Sequence, residues 1–241
     1  MKKQEKTLYN YKKYESRRIG LFNFFKNRIE SNNTKINEKK LFKKYGECRK
    51  LQGHINLLVI ADTHGLLYYQ KESIEFLRNA TGYDLCCALG DITYDDYEII
   101  LKHIPKEKIV ALLGNHDDMD ILKHYGLEDL NGKIITIRGI RIGGIQGSYR
   151  YKTKDFPSFT HAESIEFLNK MQEVDILLSH AGPFVNDDFD PIHKGLKGIT
   201  EYLYKNRVPY NIHGHNHRNE DSFLKNGTKV MERYFIEIIR L

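Results

Sequence analysis

From residue 55 onward, short apolar runs alternate with polar stretches of helical period. Ile55-Asn56-Leu57-Leu58-Val59-Ile60-Ala61, residues 84–89, residues 108–113 and residues 174–179 are apolar runs of strand length. Runs so short and so uniformly apolar predict strands buried on both faces. Helical patterns around 71–79 and 95–103 separate the first three, and a β-α-β-α-β order implies a parallel sheet with covered faces. Residues 133–137 and 140–145 flank Arg138-Gly139, a hairpin signal. A helix is predicted near 162–172, before the run at 174–179, and another near 195–206, before Pro209-Tyr210-Asn211-Ile212-His213. Asn226-Gly227 predicts a two-residue hairpin turn, and 228–240 supplies closing strands. The hexapeptide Glu-Ser-Ile-Glu-Phe-Leu occurs at 72–77 and again at 163–168. With nothing else repeating, it marks two similar amphipathic helices rather than a duplication.

The start of the chain follows a different pattern. Leu21, Phe22, Phe24, Phe25 and Ile29 cluster largely on one side of a helix, Ser31-Asn32-Asn33-Thr34 interrupts, and Leu41, Phe42 and Tyr45 resume the pattern among lysines. The expected organisation is a basic helical N-terminal extension over 1–52 and one α/β domain over 53–241. Charge follows the same division. Residues 1–50 carry 16 Lys and Arg against 5 Asp and Glu, whereas the remainder holds 22 against 27. The basic balance therefore belongs to the extension, and the domain is mildly acidic, as suits a body whose carboxylates receive cations. Three cysteines, Cys48, Cys86 and Cys87, are too few for a disulfide framework, and a reducing, cytoplasmic location is expected. No targeting segment is visible. No run approaches the roughly 20 apolar residues of a transmembrane segment.

Candidate chemistry sits where the apolar runs stop. Asp62-Thr63-His64, Gly90-Asp91, Gly114-Asn115-His116-Asp117, Ser179-His180 and Gly214-His215-Asn216-His217 place carboxylates, imidazoles and a carboxamide at successive strand ends. Such ends share one edge of a parallel sheet, so donors far apart in sequence can meet there. Oxygen and nitrogen donors without a thiolate suit hard or borderline divalent metals. Each pair taken alone is a modest signal: an Asp-x-His is often a turn, and an Asp after a strand often caps a helix. Their order and common placement make a two-metal hydrolytic centre the expectation.

These residues, in this order, resemble the calcineurin-like metallophosphoesterase superfamily. Its pattern of D-x-H, G-D, G-N-H-[DE], H and G-H-x-H is present in full across roughly residues 55–240. The resemblance implies a four-layer α-β-β-α sandwich with two divalent metal ions at the sheet edge, and Mn2+, Fe and Zn2+ all suit its mixed imidazole and carboxylate donors. Matched position by position, it implies that Asp62, His64 and His217 hold one metal and Asn115, His180 and His215 the other, with Asp91 bridging. His116 becomes the non-ligand histidine that orients or protonates the ester. The implied activity is hydrolysis of phosphoester bonds in small phosphodiesters or phosphomonoesters such as nucleotides. Two alternatives stand beside it. A nuclease would use residues 1–50 to hold nucleic acid, and a non-catalytic scaffold would keep only the fold; His116 and the complete ligand set argue against the scaffold. Further readings of the extension are contact with an anionic membrane through Phe22, Phe24 and Phe25, packing on the core, or packing on a second subunit of a homo-oligomer.

Departures from particular subfamilies narrow the reading. Gly90-Asp91-Ile92-Thr93-Tyr94-Asp95-Asp96 lacks the arginine and glycine of G-D-x-x-D-R-G, which argues against a phosphoprotein phosphatase. Tyr94 falls where purple acid phosphatases place a tyrosinate, but His64 replaces their D-x-G, so packing is the expectation for Tyr94. The small bacterial phosphodiesterases of the superfamily are the nearer resemblance, through Gly143-Gly144-Ile145-Gln146-Gly147-Ser148 and Ser179-His180-Ala181-Gly182-Pro183. Ligand imidazoles need acceptors for their second N–H, and the backbone near Gly182 and the Asp117 side chain are candidates. His213 is expected behind the site. Arg150 or Lys152 is available to a second phosphate or is an ordinary surface charge. The loop 184–197, with Asp187, Asp188, Asp190, His193 and Lys194, is either a selectivity element or a solvated connector.

Overall fold

A computed structural model describes residues 36–152, 156–185 and 192–241. The amphipathic pattern of Leu21 to Ile29 and the acidic Asp187, Asp188 and Asp190 lie outside them. The apolar runs become β1 (Asn56–Ala61), β2 (Leu85–Ala88) and β3 (Ile109–Ala111), which pair in parallel. Between them run α2 (Lys71–Asn79) and α3 (Tyr94–His103). The short β4 (Glu128–Asp129), after α4 (Ile121–Tyr125), extends this sheet in parallel beside β3. On the far side of β1, β13 (Phe235–Arg240) closes it antiparallel, giving the order β13-β1-β2-β3-β4.

A second sheet contains β5 (Ile134–Ile137), β6 (Ile140–Ile145), β9 (Ile176–Ser179), β10 (Tyr210–His213), β11 (Glu220–Phe223) and β12 (Lys229–Glu232). Its order is β11-β12-β10-β9-β6-β5, parallel in the middle and antiparallel at both edges. Helices α5 (His161–Asn169) and α6 (Lys197–Lys205) cover it. A short ribbon of β7 (Ser148–Tyr149) and β8 (Ser158–Phe159) leaves its edge.

Side-chain alternation along the strands builds the layers. Leu57, Val59 and Ala61 of β1 meet Ile142, Ile176, Leu178 and Ile212 of the second sheet in a core between the sheets. Leu58 and Ile60 face the other way, onto Leu77, Tyr97 and Ile100 of α2 and α3. In the second sheet Leu177 and Val230 turn outward onto Leu168, Ile199 and Leu203 of α5 and α6. Three apolar spaces between four layers are the expected α-β-β-α sandwich. The repeated hexapeptide supplies Leu77 and Leu168, one to each outer layer.

Arg138 and Gly139 both take positive φ, 53° and 80°, between paired Ile137 and Ile140. That is the two-residue turn whose twist matches antiparallel strands. Asn226-Gly227 does not make the same turn. Phe223 pairs with Lys229, so residues 224–228 connect β11 to β12. Asn226 instead accepts the Thr228 N–H at 3.1 Å, and its own carbonyl accepts the Cys48 N–H at 2.7 Å.

That contact belongs to the chain preceding β1. Helix α1 (Glu38–Tyr45), capped by Asn37, lays Leu41 and Tyr45 against the core under α6. The Tyr204 hydroxyl donates to Glu38 at 2.7 Å, and Arg49 donates to the Val174 carbonyl at 2.6 Å. No helix among the described residues is long and apolar enough to cross a membrane.

Ile142→Ala, between the sheets, is expected to cost about 3 kcal/mol. Leu41→Ala, on the appended helix, is expected to cost under about 1.5 kcal/mol because its site is half open. Urea unfolding of the two variants checks the contrast, and equal costs would show that α1 is as integral as the sheets.

Candidate metal centre

Five turns converge at the edge where β1, β2, β3, β9 and β10 end. Backbone bonds stitch them together. Asp62 N–H donates to the Gly90 carbonyl, His64 N–H to the Asp91 carbonyl and Gly214 N–H to the His180 carbonyl, each at 3.0 Å. Close approach is possible because glycine precedes the donors in three of these turns, at Gly90, Gly114 and Gly214. A Cβ on Gly114 would fall onto Asp91 and the His180 ring, and one on Gly214 onto the Asp62 carboxylate. The chain is also strained here: among the described residues, Asp62, His64, Asp91, His215 and His217 are five of the eight non-glycine positions with positive φ. Such strain persists only where surrounding structure imposes it, and it gathers at functional sites.

Two groups of potential ligands result, Asp62 with His64 and His217, and Asp62 with Asp91 and His180, each with its donor atoms within 4.8 Å of one another. His64 Nε2 and His217 Nε2 stand 3.0 Å apart. Asp91 Oδ2 lies 3.5 Å from His64 Nε2 and 3.7 Å from His180 Nε2, near one histidine of each group. Asn115 Oδ1 is 3.0 Å from His180 Nε2. The His215 ring is 4.9 Å from that of His180, and its backbone N–H donates to Asp62 Oδ2 at 2.7 Å. The His116 ring centre is 5.5 Å from that of His64, and its backbone N–H donates to Asp91 Oδ1 at 2.8 Å.

The electrostatics are severe. Asp62 and Asp91 are 0% and 3% exposed. Burial pushes both carboxyls well above their usual range, against the opposing His215 and His116 N–H bonds. Asp117 and Asp62 raise Asp91 further, and the charge of Lys152 works the other way. Burial also holds two of the imidazoles neutral, lowering His180 to about 3 and His215 well below the ordinary histidine value. Asp62 Oδ1 is buried with no hydrogen-bond partner. Neutral imidazoles facing buried carboxylates with an unpartnered oxygen are the donor set a divalent cation needs. The residues fit such ions.

The acceptors behind the imidazoles are not the ones expected from sequence. His180 Nδ1 meets the Leu89 carbonyl and His215 Nε2 the Ile192 carbonyl, both at 2.8 Å. Asp117 instead accepts the backbone N–H groups of Asp91, Ile92 and Gly114 at 2.7–2.9 Å, locking two turns together. Gly182 faces the ring of His213, which is buried behind the cluster and bonded to the Gly214 carbonyl. Tyr94 packs against the rings of His124 and Tyr125. Arg150 is held by Glu163 and Ser158.

Asp96 was not legible as part of this site. Fully buried, it accepts the Thr63 hydroxyl and the Gly65 N–H at 2.6 Å and the Leu67 N–H at 3.1 Å, so it fixes the turn carrying Asp62 and His64. In sequence it is one of two acids in the first turn of a helix, a placement the helix dipole favours everywhere.

The chain belongs to the calcineurin-like phosphoesterase family, whose model matches residues 55–219. It is thus a metal-binding hydrolase of the metallophosphoesterase type. No curated protein matches it significantly. Among solved structures, it is similar to TT1561 of Thermus thermophilus at 12% identity and a TM-score of 0.52, over 78% of this chain and 99% of that one. A phosphopantetheinyl hydrolase from Mycobacterium tuberculosis gives 14% and 0.52, over 75% and 89%. A 5'-nucleotidase from Candida albicans gives 14% and 0.50, over 78% of this chain but only 47% of that enzyme. At such identities the likeness is one of fold.

Asp96→Ala is expected to destabilise the protein by about 3 kcal/mol, because buried donors lose their acceptor. Its neighbour Asp95 is exposed, and Asp95→Ala is expected to stay within about 0.5 kcal/mol of wild type. Chemical denaturation of both variants distinguishes a positioning role from simple first-turn charge.

Proposed function

We propose that this protein hydrolyses small phosphodiesters or phosphomonoesters, nucleotides among them, at a dinuclear centre. The supporting observation is the buried Asp62 Oδ1, which accepts no hydrogen bond and lies 3.9 Å from His217 Nε2, together with Asp91 Oδ2 at 3.5 Å from His64 and 3.7 Å from His180. Asp62, His64 and His217 hold one cation; Asn115, His180 and His215 hold the other, with Asp91 shared. Imidazole with carboxylate suits Mn2+, Fe or Zn2+. When bound, two such ions supply Lewis acidity toward a phosphoryl oxygen and toward water.

The chain's own residues do the remaining work. Leu89 and Ile192 carbonyls orient His180 and His215, so that each imidazole offers its other nitrogen to the cluster. Asn115 provides a neutral oxygen, which adds a ligand without adding charge. His116, anchored through its backbone to Asp91 and with its ring beside His64, is the group that gives a proton to the departing ester oxygen. Buried walls keep these dipoles fixed, which is where most stabilisation of phosphoryl transfer arises.

His116→Ala is expected to keep its metals and to lose about 10²–10⁴-fold in turnover of an alkyl phosphoester. Asp91→Ala is expected to lose metal and turnover together. Metal content and steady-state rates of the two variants check this. Full activity of His116→Ala on a substrate with a poor leaving group would remove the proton-donor role.

A further inference from the structure

Two of the proposed ligand imidazoles, His180 and His215, are oriented by backbone carbonyls. A third, His217, lies on an aromatic ring. Its imidazole stacks on Tyr234, with ring centres 5.2 Å apart and planes inclined by 26°. The Nε2 of this stacked imidazole is 3.0 Å from His64 Nε2 and 3.9 Å from Asp62 Oδ1, inside the first ligand group.

The chain on either side of Tyr234 is tied down, one neighbour to each sheet. Arg233 follows β12, and its N–H donates to the His213 carbonyl of β10 at 2.7 Å. Its buried guanidinium donates to the Glu220 and Glu232 carbonyls and to Asp221 at 2.6–3.2 Å. Tyr234 N–H then donates to Asn219 Oδ1 at 2.8 Å. Phe235 opens β13 with a φ of 66°, a left-handed conformation that a bulky side chain adopts only under constraint. It pairs with Ala61 of β1, the residue before Asp62, and its ring meets that of Tyr234 edge-on at 4.9 Å. The constrained backbone delivers the tyrosine ring to the face of His217.

Stacking has a chemical consequence at a metal ligand. An imidazole whose lone pair goes to a divalent cation becomes electron-poor, and the negative face of a phenol ring attracts it more strongly than it attracts the free imidazole. A ring plane fixed in advance also loses less freedom when the cation enters. Both effects favour the loaded state. From this we infer that Tyr234 is a positioning residue for His217, which tightens the site of the cation assigned to Asp62, His64 and His217. The inference rests on the dinuclear reading above and adds to it a residue outside the ligand set.

The test is a double-mutant cycle on metal affinity, measured by competition for Mn2+ between the full chain and a chelator. Tyr234→Leu is expected to weaken one ion about tenfold and the other by less than about twofold. Tyr234→Phe, which keeps an aromatic face, is expected to stay within about threefold of wild type. In a His217→Ala background, which itself weakens that ion, Tyr234→Leu is expected to cost nothing further. Wild-type affinity in Tyr234→Leu, failure of phenylalanine to recover binding, or an undiminished loss in the His217→Ala background each overturns the inference. Wild-type affinity in His217→Ala removes the ligand assignment and the inference with it. Wild-type hydrolysis of bis-para-nitrophenyl phosphate, run in parallel, reports on the phosphoesterase reading separately. Absence of hydrolysis alongside the expected cycle sinks that reading and leaves the role of Tyr234 standing.

Discussion

Negative charge buried at one sheet edge is the constraint on which the rest of this structure depends. Asp62, Asp91 and Asp117 are withdrawn from water near one another, and burial first, then repulsion from neighbouring carboxylates, drives all three carboxyls upward, Asp117 to about 6. Asp117 is compensated by three backbone N–H groups. Asp62 and Asp91 are compensated only in part, one N–H bond each. Carboxylates in such surroundings are stable when cations neutralise them and costly otherwise. The imidazoles around them, His180 and His215 kept neutral by the same burial, supply the remaining donors.

Building that edge requires the particular fold. Parallel strands in both sheets end on the same side, so the turns after β1, β2 and β3 of one sheet meet those after β9 and β10 of the other. Packing through the core between the sheets fixes the distance across the edge. Gly114 and Gly214 let backbone and carboxylate approach more closely than any side chain would permit. Positive φ at five donor residues then turns carboxylates and imidazoles inward. Part of the stability generated by the apolar layers is consumed in holding those conformations.

Much of this was legible in the sequence, for physical reasons that also explain what was not. The strands β1, β2 and β9 are buried on both faces and appear as unbroken apolar runs. Five of the seven proposed ligands follow an apolar run, whereas His215 and His217 follow β10, where Asn211 and His213 interrupt the apolar pattern. By contrast, β4, β7 and β8 are two residues long and exist only through their pairing partners. Strand β11 is exposed along its length, so no apolar pattern marks it. Asn226-Gly227 has the composition of a two-residue turn, but the Cys48 bond to its carbonyl belongs to a wider connection that composition does not encode. The acceptors of His180 and His215 are backbone carbonyls of Leu89 and Ile192, which no side-chain identity announces. Asp117 was legible as a partner, but of backbone amides rather than of an imidazole.

Metal stoichiometry tests the central claim most directly. Elemental analysis of the full chain, stripped of metal, refilled with Mn2+ or Zn2+ and desalted, is predicted to give two ions per chain for wild type and fewer for Asp62→Ala. Wild type that retains no metal, or Asp62→Ala that retains both ions, would contradict the account of a carboxylate edge assembled to hold a cation pair.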